Sequence, residues 1–251
     1  MGLPLAHREA EDGAAGPRVL LVIPAYNEET TIAAVIEGLR RAAPSYDRVV
    51  VNDGAKDETG RILANMGEKQ LRLPCNLGYG NALQTGLKYG LQSGYDIIVS
   101  FDGDGQHRPE DVEPVIAALL SSEADVAIGS RYCGGLTCPT PLGRKLGQLL
   151  FSHLTRLLVG QRIYDTTSGF KAMRATACER VVNGVFMDFH TESLVRLSMG
   201  GFRVIEHPIT VEERAHGHSM HSIISVFAYP LQTLLLTAVA MVDALLERRI
   251  S

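Results

Sequence analysis

The chain has 251 residues, of which 45% are hydrophobic and 21% charged, and its formal net charge is −4 at pH 7. These values argue against a disordered chain, a collagen or a coiled coil, and the acidic balance disfavours a generic nucleic-acid-binding protein. The mean hydropathy of +0.06 is high for a soluble enzyme, and an uncharged run over 223–242 supplies much of that excess.

The first half of the sequence predicts alternating strands and helices. Residues 1–17 lack an apolar signal core, and we expect them to form a flexible leader. Apolar runs predict buried strands over 18–24 and 96–101, and further strands are predicted over 48–52, 70–73 and 125–130. Helices are predicted from capping and apolar spacing over about 32–39, 57–67, 76–93 and 109–121. This alternation predicts an α/β fold with a mostly parallel twisted sheet flanked by helices.

The second half is predicted to be more helical. Helical stretches cover 142–159, 175–182 and 190–199, and a strand follows at 202–206. The cysteines match no zinc or redox spacing, so we expect reduced thiols of a cytoplasmic protein. Four histidines between 207 and 221 lack a thiolate or carboxylate partner at ligand spacing, which favours a loop rich in phosphate donors over a zinc site.

Acidic side chains follow three of the predicted strands. Glu28 follows the first strand, Asp53 the second, and Asp102 and Asp104 the strand at 96–101. Because ligands of open α/β sheets bind at the carboxyl ends of the strands, we expect these residues to share one edge. Turn and capping chemistry would explain one such cluster, but three together favour a binding site.

The triplet Asp102-Gly103-Asp104 is the most informative of these clusters. Two carboxylates placed two residues apart after a buried strand can face one hard cation. Mg²⁺ or Mn²⁺ bound in this way takes one or two protein carboxylates and completes its shell with phosphate oxygens and water. Such an ion suits a nucleotide diphosphate leaving group, and Gln106 or His107 could add a ligand.

Seven segments then resemble, in order, the motifs of family 2 glycosyltransferases with the GT-A fold. They are VIPAYNEE (22–29), VNDGAKDET (51–59), NLGYGNALQTGL (76–87), FDGDGQH (101–107), GSRY (129–132), DTTSGFKAMR (165–174) and PITVEERAHGHS (208–219). Within that family they most resemble the dolichol-phosphate mannose or glucose synthase branch, the polyprenol-phosphate glycosyltransferases. The resemblance implies a GT-A catalytic domain over 18–221, and the apolar run that follows predicts a C-terminal apolar helix over 222–251.

The resemblance implies that a nucleotide-diphosphate sugar is the donor substrate. Asp53 would meet its base and Glu28 its ribose, and Arg214 would reach the diphosphate. Asp102 would contact the sugar or the metal, while Asp104 and Gln106 would bind the Mg²⁺ or Mn²⁺ ion. The remaining donor contacts would come from the same motifs: Pro24, Ala25, Tyr26, Val51, Asn76, Gly80, Asn81 and Gly103.

The resemblance also implies a lipid acceptor, a polyprenyl or dolichyl phosphate. Arg131 and Arg144 would bind its phosphate, although a salt bridge is the alternative for Arg131, and Ser168 would lie in a turn beside the sugar. A phosphate dianion is already nucleophilic near neutral pH, so no general base is required. The expected reaction is inverting hexose transfer from a UDP- or GDP-sugar, driven by positioning and by charge from the metal, Arg131 and Arg214.

Two other functions remain open from the sequence. Transfer to a sugar or another hydroxyl would need a base, for which Asp188 and Glu192 are candidates, although helix capping explains both residues better. The second alternative is a non-catalytic sugar-nucleotide-binding protein. The presence of Asp102, Asp104 and Arg214 argues against it.

The apolar run at 223–242 carries a thin polar stripe, made of Ser225, Tyr229, Gln232, Thr233 and Thr237. A broad apolar face with such a stripe favours a helix that lies in the membrane surface, and Arg248 and Arg249 could meet anionic headgroups. Packing in a dimer or in the core, and a membrane-spanning helix, are the alternatives. We therefore expect a peripheral enzyme at the cytoplasmic face of a membrane, with homo-oligomerisation left open.

Overall fold

The structure is a computed structural model that describes residues 16–133, 156, 163–183, 189 and 191–212. Its strands are β1 (Val19–Ala25), β2 (Asp47–Asn52), β3 (Gln70–Arg72), β4 (Ile97–Ser100), β5 (Val126–Ser130), β6 (Lys171–Arg174) and β7 (Val204–Pro208). Its helices are α1 (Ile32–Ala42), α2 (Thr59–Asn65), α3 (Tyr79–Gln92), α4 (Val112–Ser121), α5 (Ala175–Val182) and α6 (Thr191–Met199). A 3₁₀ turn at Pro109–Asp111 leads into α4.

The described strands form one sheet in the order β3-β2-β1-β4-β6-β5-β7. Parallel pairing joins β1 to β2 and β4, β2 to β3, and β5 to β7. Only β6, among the described strands, runs antiparallel to its neighbours β4 and β5. The predicted α/β fold with a mostly parallel sheet is therefore confirmed.

Helices cover both faces of the sheet, which explains the continuous apolar run of its first strand. Every residue of β1 is buried. Leu21 and Ile23 pack on one face with the apolar residues of α1 and α4, whereas Leu20 and Val22 pack on the other with those of α3 and α5. Each fully buried aliphatic side chain of this kind stabilises the fold by roughly 1.5–3 kcal/mol.

The sequence pattern did not predict β6. This strand contains Lys171, which is 1% exposed. Its ammonium group donates to the carbonyl oxygens of Ser168 at 2.5 Å and Phe189 at 2.9 Å, and it lies 4.5 Å from the centroid of the Phe189 ring. These contacts let a charged side chain occupy the interior of the sheet, where periodicity alone predicts an apolar residue.

Several sequence predictions fall outside the described residues. These are the helix over 142–159, Arg144, Asp188, Arg214 and the apolar C-terminal segment over 222–251. In the part of the chain that the structure describes, no helix has the length and apolar character needed to cross a membrane.

Candidate active site

The loop that follows β1 is hydrogen-bonded to the loop that follows β2. The backbone N–H of Glu28 donates to Thr59 Oγ1 at 2.8 Å, and that of Glu29 donates to Asp57 Oδ2 at 3.0 Å. Asn27 adopts a left-handed backbone conformation with φ 55°, which asparagine tolerates better than most residues. Its Oδ1 accepts the backbone N–H of Lys56 at 2.9 Å, so the predicted nucleoside-binding motifs at 22–29 and 51–59 form one connected surface.

Asp53 holds the segment before α3 against the end of β2. This residue is 3% exposed, and its two carboxylate oxygens accept the backbone N–H groups of Leu77 at 2.8 Å and Gly78 at 2.9 Å. Gly54 has a φ of +66°, and a Cβ there would lie 2.5 Å from the backbone of Cys75. Glycine is therefore required at the turn, and Asn76, Gly80 and Asn81 are brought to the same edge of the sheet. The predicted contact between Asp53 and a base stays a prediction.

Thr31 connects the first loop to the loop that follows β4. Its Oγ1 lies 2.8 Å from Glu28 Oε2 and 3.0 Å from the carbonyl oxygen of Gly103. A Cβ at Gly103 would lie 3.0 Å from the carbonyl oxygen of Pro24, so this glycine lets the two loops approach closely. The predicted ribose ligand Glu28 and the predicted metal-binding loop are thus neighbours.

Asp102 is held from three sides. The hydroxyl of Tyr79 donates to Oδ1 at 3.0 Å, and His107 Nε2 lies 3.2 Å from Oδ2. A Cβ at Gly169 would lie 2.7 Å from Oδ1 and closer still to Oδ2, so the space next to the carboxylate exists because residue 169 is glycine. The Asp102 side chain is still 24% exposed, which leaves it accessible to a ligand.

His107 packs beneath this carboxylate. It is 6% exposed, and its ring centroid lies 5.8 Å from that of Phe101 and 5.5 Å from that of Phe170. His107 also forms an isolated β-bridge with Val211, and the backbone N–H of residue 212 donates to the carbonyl oxygen of residue 106 at 2.9 Å. The loop after β4 is therefore joined to the segment that precedes Arg214 in the sequence.

The residues of the loop after β4 fit a divalent metal. Asp102, Asp104 and Gln106 lie within five positions of the sequence, and Asp104 Oδ1 accepts the backbone N–H of Gln106 at 3.0 Å, which closes a turn in this loop. All three side chains supply oxygen ligands, the type that Mg²⁺ and Mn²⁺ prefer. The described residues contain no cluster of three or more His, Cys, Asp or Glu side chains able to hold a metal. An ion that takes two carboxylates, phosphate oxygens and water does not require one.

Arg131 forms the salt bridge that the sequence left open. Its Nε donates to Asp165 Oδ2 at 2.8 Å, and its Nη2 donates to Asp165 Oδ1 at 2.7 Å and to Thr167 Oγ1 at 2.9 Å. The Asp165 side chain is fully buried. Burial alone would raise the pKa of Asp165, but the hydrogen bonds and charge of Arg131 outweigh it and hold that pKa below its usual value.

A second carboxylate, that of Glu206, is hydrogen-bonded to the backbone of the segment that contains Asp165. Glu206 accepts the backbone N–H groups of Tyr164 and Asp165, each at 2.8 Å. Burial raises the pKa of Glu206, against the opposing effect of those N–H donors. The adjacent turn is held by Ser168, which is 1% exposed and donates its hydroxyl to the carbonyl oxygen of Gly129 at 2.7 Å.

The structure thus brings the predicted donor and metal residues other than Arg214, which lies outside the described residues, to one edge of the sheet and places Arg131 and Ser168 at the end of β5. It also adds residues that the sequence reasoning did not assign to the site. These are Tyr79, Thr31 and Asp165. Of the two candidate bases, Glu192 is buried in α6. The motifs at 76–87 and 165–174 carry Tyr79, Asp165 and Gly169, but nothing in their spacing shows which residue each of them contacts.

Comparison with known proteins agrees with this architecture. A model described as glycosyl transferase family 2 matches residues 20–182. An undecaprenyl-phosphate mannosyltransferase of Micrococcus luteus is 33% identical, over 82% of this chain and 88% of the relative. A polyprenol monophosphomannose synthase of Mycolicibacterium smegmatis is 32% identical, over 82% and 81%.

Solved structures show the same fold. One is glucosyl-3-phosphoglycerate synthase from Mycobacterium tuberculosis in complex with Mn²⁺, uridine diphosphate and phosphoglyceric acid. It superposes with a TM-score of 0.67 at 18% identity and covers 90% of this chain and 78% of its own. At that identity the likeness establishes the architecture, and the GT-A fold is confirmed.

Proposed function

The chain belongs to glycosyl transferase family 2, and we propose that it transfers a hexose from a UDP- or GDP-sugar to the phosphate of a polyprenyl or dolichyl lipid. The observation that carries this proposal is the acidic pair Asp102 and Asp104 at the end of β4, joined through Thr31 to the loop that contains Glu28. The relatives named for undecaprenyl-phosphate and polyprenol mannosyl transfer support the choice of acceptor.

The donor would lie along the loops after β1, β2 and β4. Asp53 already accepts two backbone N–H groups, but a carboxylate offers about four acceptor positions, so it can also accept a hydrogen bond from a base. Glu28, near the end of β1, would meet the ribose. Pro24, Ala25, Tyr26, Val51, Asn76, Gly80 and Asn81 would complete the pocket.

Asp104 and Gln106, with Asp102, would hold a Mg²⁺ or Mn²⁺ ion, which when bound offsets the negative charge of the diphosphate leaving group. Asp102 lies at the boundary between the metal and the sugar. Arg214 would add a permanent positive charge at the diphosphate. The residues of the chain therefore position the donor and stabilise charge, and no side chain has to remove a proton from a phosphate acceptor.

The acceptor phosphate would bind near the end of β5. Arg131 is oriented there by Asp165, but the buried carboxylate also offsets its charge. Arg144 would add a second positive charge for the acceptor phosphate. Ser168 would act through the turn that it stabilises beside Gly129. The segment over 222–251 would hold the enzyme at the cytoplasmic membrane surface, where a lipid phosphate lies.

A transfer assay with the full chain tests this function. The protein is incubated with radiolabelled UDP- and GDP-hexoses, Mg²⁺ or Mn²⁺, and a detergent-dispersed polyprenyl phosphate. We expect label from one donor in an acid-labile product that extracts into organic solvent, and no label when polyprenol without phosphate replaces the acceptor. Label in a water-soluble glycoside would instead indicate a hydroxyl acceptor, and donor binding without turnover would indicate a binding protein.

A further inference from the structure

We propose that Tyr79 and His107 are positioning residues that hold the two oxygens of Asp102 in the orientation required by the metal and the donor. The inference rests on the proposed function, because it assigns Asp102 to that site. Neither residue is expected to touch the reacting atoms. Each would act through the carboxylate to which it is hydrogen-bonded.

Tyr79 reaches Asp102 from a helix end that is itself held in place. It is the first residue of α3 and follows Gly78, whose backbone N–H donates to Asp53 at 2.9 Å. Gly78 has a φ of +92°, a conformation that favours glycine at this turn. The hydroxyl of Tyr79 then lies 3.0 Å from Asp102 Oδ1. The carboxylates at the ends of β2 and β4 are thus connected through one turn.

His107 is a buried histidine whose side chain makes a polar contact with Asp102. An ionised carboxylate only accepts hydrogen bonds, so Nε2 is the donor in its contact with Asp102. The other ring nitrogen, Nδ1, is buried and has no hydrogen-bond partner among the described residues. An unsatisfied buried polar group of this kind destabilises the fold. A phenylalanine between Phe101 and Phe170 would avoid this cost, so packing does not explain the imidazole, whereas the bond to Asp102 does.

Gly169 completes the arrangement. Because a Cβ there would overlap the carboxylate, Asp102 occupies a space closed by the backbone on one side and by its two donors on the others. A group held in this way needs little reorganisation when a ligand binds, which is the condition for efficient electrostatic stabilisation.

The substitution Tyr79→Phe tests the first contact, because it removes one hydroxyl and keeps the ring. We expect Mn²⁺ affinity, measured by electron paramagnetic resonance with UDP and with GDP in parallel, to fall about 10-fold. The fall in kcat should follow it, with the KM for the lipid phosphate unchanged. The matched control is Tyr95→Phe, which removes a hydroxyl that donates to Asp47 Oδ2 at 2.8 Å at the opposite edge of the sheet. Its Mn²⁺ affinity should equal that of the wild type.

Two substitutions of His107 separate positioning from packing. His107→Gln keeps an N–H donor, whereas His107→Phe keeps an apolar ring without one. If His107 positions Asp102, Mn²⁺ affinity should be higher in His107→Gln than in His107→Phe, even where the phenylalanine variant is the more heat-stable. A residue that served only packing would show the reverse order in affinity as well as in melting temperature.

Equal Mn²⁺ affinity in Tyr79→Phe and Tyr95→Phe, or wild-type affinity in His107→Phe, would overturn the proposal. Failure of the proposed function has a different signature. In that case the wild type transfers no sugar to lipid phosphate, while the differences in Mn²⁺ affinity persist. A wild-type chain that binds no Mn²⁺ with either nucleotide would refute both.

Discussion

Asp102 and Asp165 are two carboxylates near the ends of strands in one sheet, and their surroundings differ in burial and in hydrogen-bond partners. Asp102 is a quarter exposed and is held by a hydroxyl and an imidazole. Asp165 is fully buried and is held by the guanidinium of Arg131. Position at the carboxyl edge therefore does not by itself identify a ligand-binding acid. The partners differ in kind: a permanently charged arginine offsets the charge of Asp165, whereas a hydroxyl and an imidazole are hydrogen-bonded to Asp102.

The largest expected effect concerns the loop after β4, which contains the partly exposed Asp102 and Asp104. Asp104→Ala should lower metal-dependent turnover by about 1000-fold, equivalent to about 4 kcal/mol, because one of the two carboxylates for the ion is lost. Steady-state transfer rates at several Mn²⁺ concentrations measure it. Asp96→Ala is the control, since Asp96 accepts a backbone N–H of Arg18 at the other edge. Near-normal activity of the Asp104 variant with added Mn²⁺ would show that the metal assignment is wrong.

The next largest effect concerns the buried carboxylate of Asp165 and its ion pair with Arg131. Asp165→Asn should lower the free energy of unfolding by about 3 kcal/mol, because it leaves Arg131 largely buried without its counter-charge. Asp102→Asn should lower it by less than about 1 kcal/mol, since that side chain is partly exposed and asparagine keeps one acceptor oxygen. Urea denaturation of both variants measures the difference. Equal losses would break the distinction between the two carboxylates.

A smaller effect is expected from a glycine substitution that keeps the carboxylates of both Asp102 and Asp165. Gly169→Ala should displace the Asp102 carboxylate and weaken Mn²⁺ binding about 10-fold, with folding retained. Gly90→Ala provides the steric control, because its Cβ would lie 2.6 Å from Ile98 Cδ1 inside the core. We expect the control to lower the melting temperature and keep the Mn²⁺ affinity. Weaker binding in both variants would indicate a general packing effect instead.

The smallest effect is a difference in pH dependence. The pKa of Asp165 is lowered in the folded state from its ordinary 3.8, so its ion pair stabilises the fold above that value and is lost as pH falls through the folded-state pKa. The stability gap between wild type and Asp165→Asn should therefore be constant from about pH 5 to 7 and shrink below about pH 4. Burial is the largest cause of the raised pKa of Glu206 and the charge of Asp165 the smallest, so we expect Glu206 to contribute similarly in both proteins. A gap that widens in acid would contradict the prediction.

Local patterns were sufficient to predict most of the fold. The apolar run of β1 predicts a strand buried on both faces, and the apolar spacing after Thr31 predicts α1, although the predicted side-chain cap is wrong because the Thr31 hydroxyl lies against Glu28 and Gly103 instead. The acidic triplet at 102–104 was recognised because it follows such a strand. The predictions of β1 and α1 succeed because each depends on residues close together in the sequence, whereas the role of the triplet stays a prediction.

Contacts between distant residues could not be predicted in the same way. The four residues of β6 contain two charges and no alternating pattern, and their place in the sheet depends on pairing such as that of Lys171 with Ser100. The sequence shows Arg131 as a cation that a phosphate could bind, but it does not show that Asp165, 34 positions later, lies against it. The partner that changes the expected role of Arg131 became visible only in the structure.

The reversed direction of β6 has a geometric consequence. One intervening strand separates β4 from β5 by two inter-strand spacings, about 10 Å, and a hydrogen-bonded sheet keeps that width constant. Because β6 runs backwards, its beginning lies at the edge where the other strands end. Two consecutive residues just before β6 contact different neighbouring strands. Ser168 is hydrogen-bonded to Gly129 of β5, and Gly169 packs on Asp102, which follows β4. Under the proposed function, β6 is a molecular spacer that sets how far apart donor and acceptor are held while the sugar crosses between them.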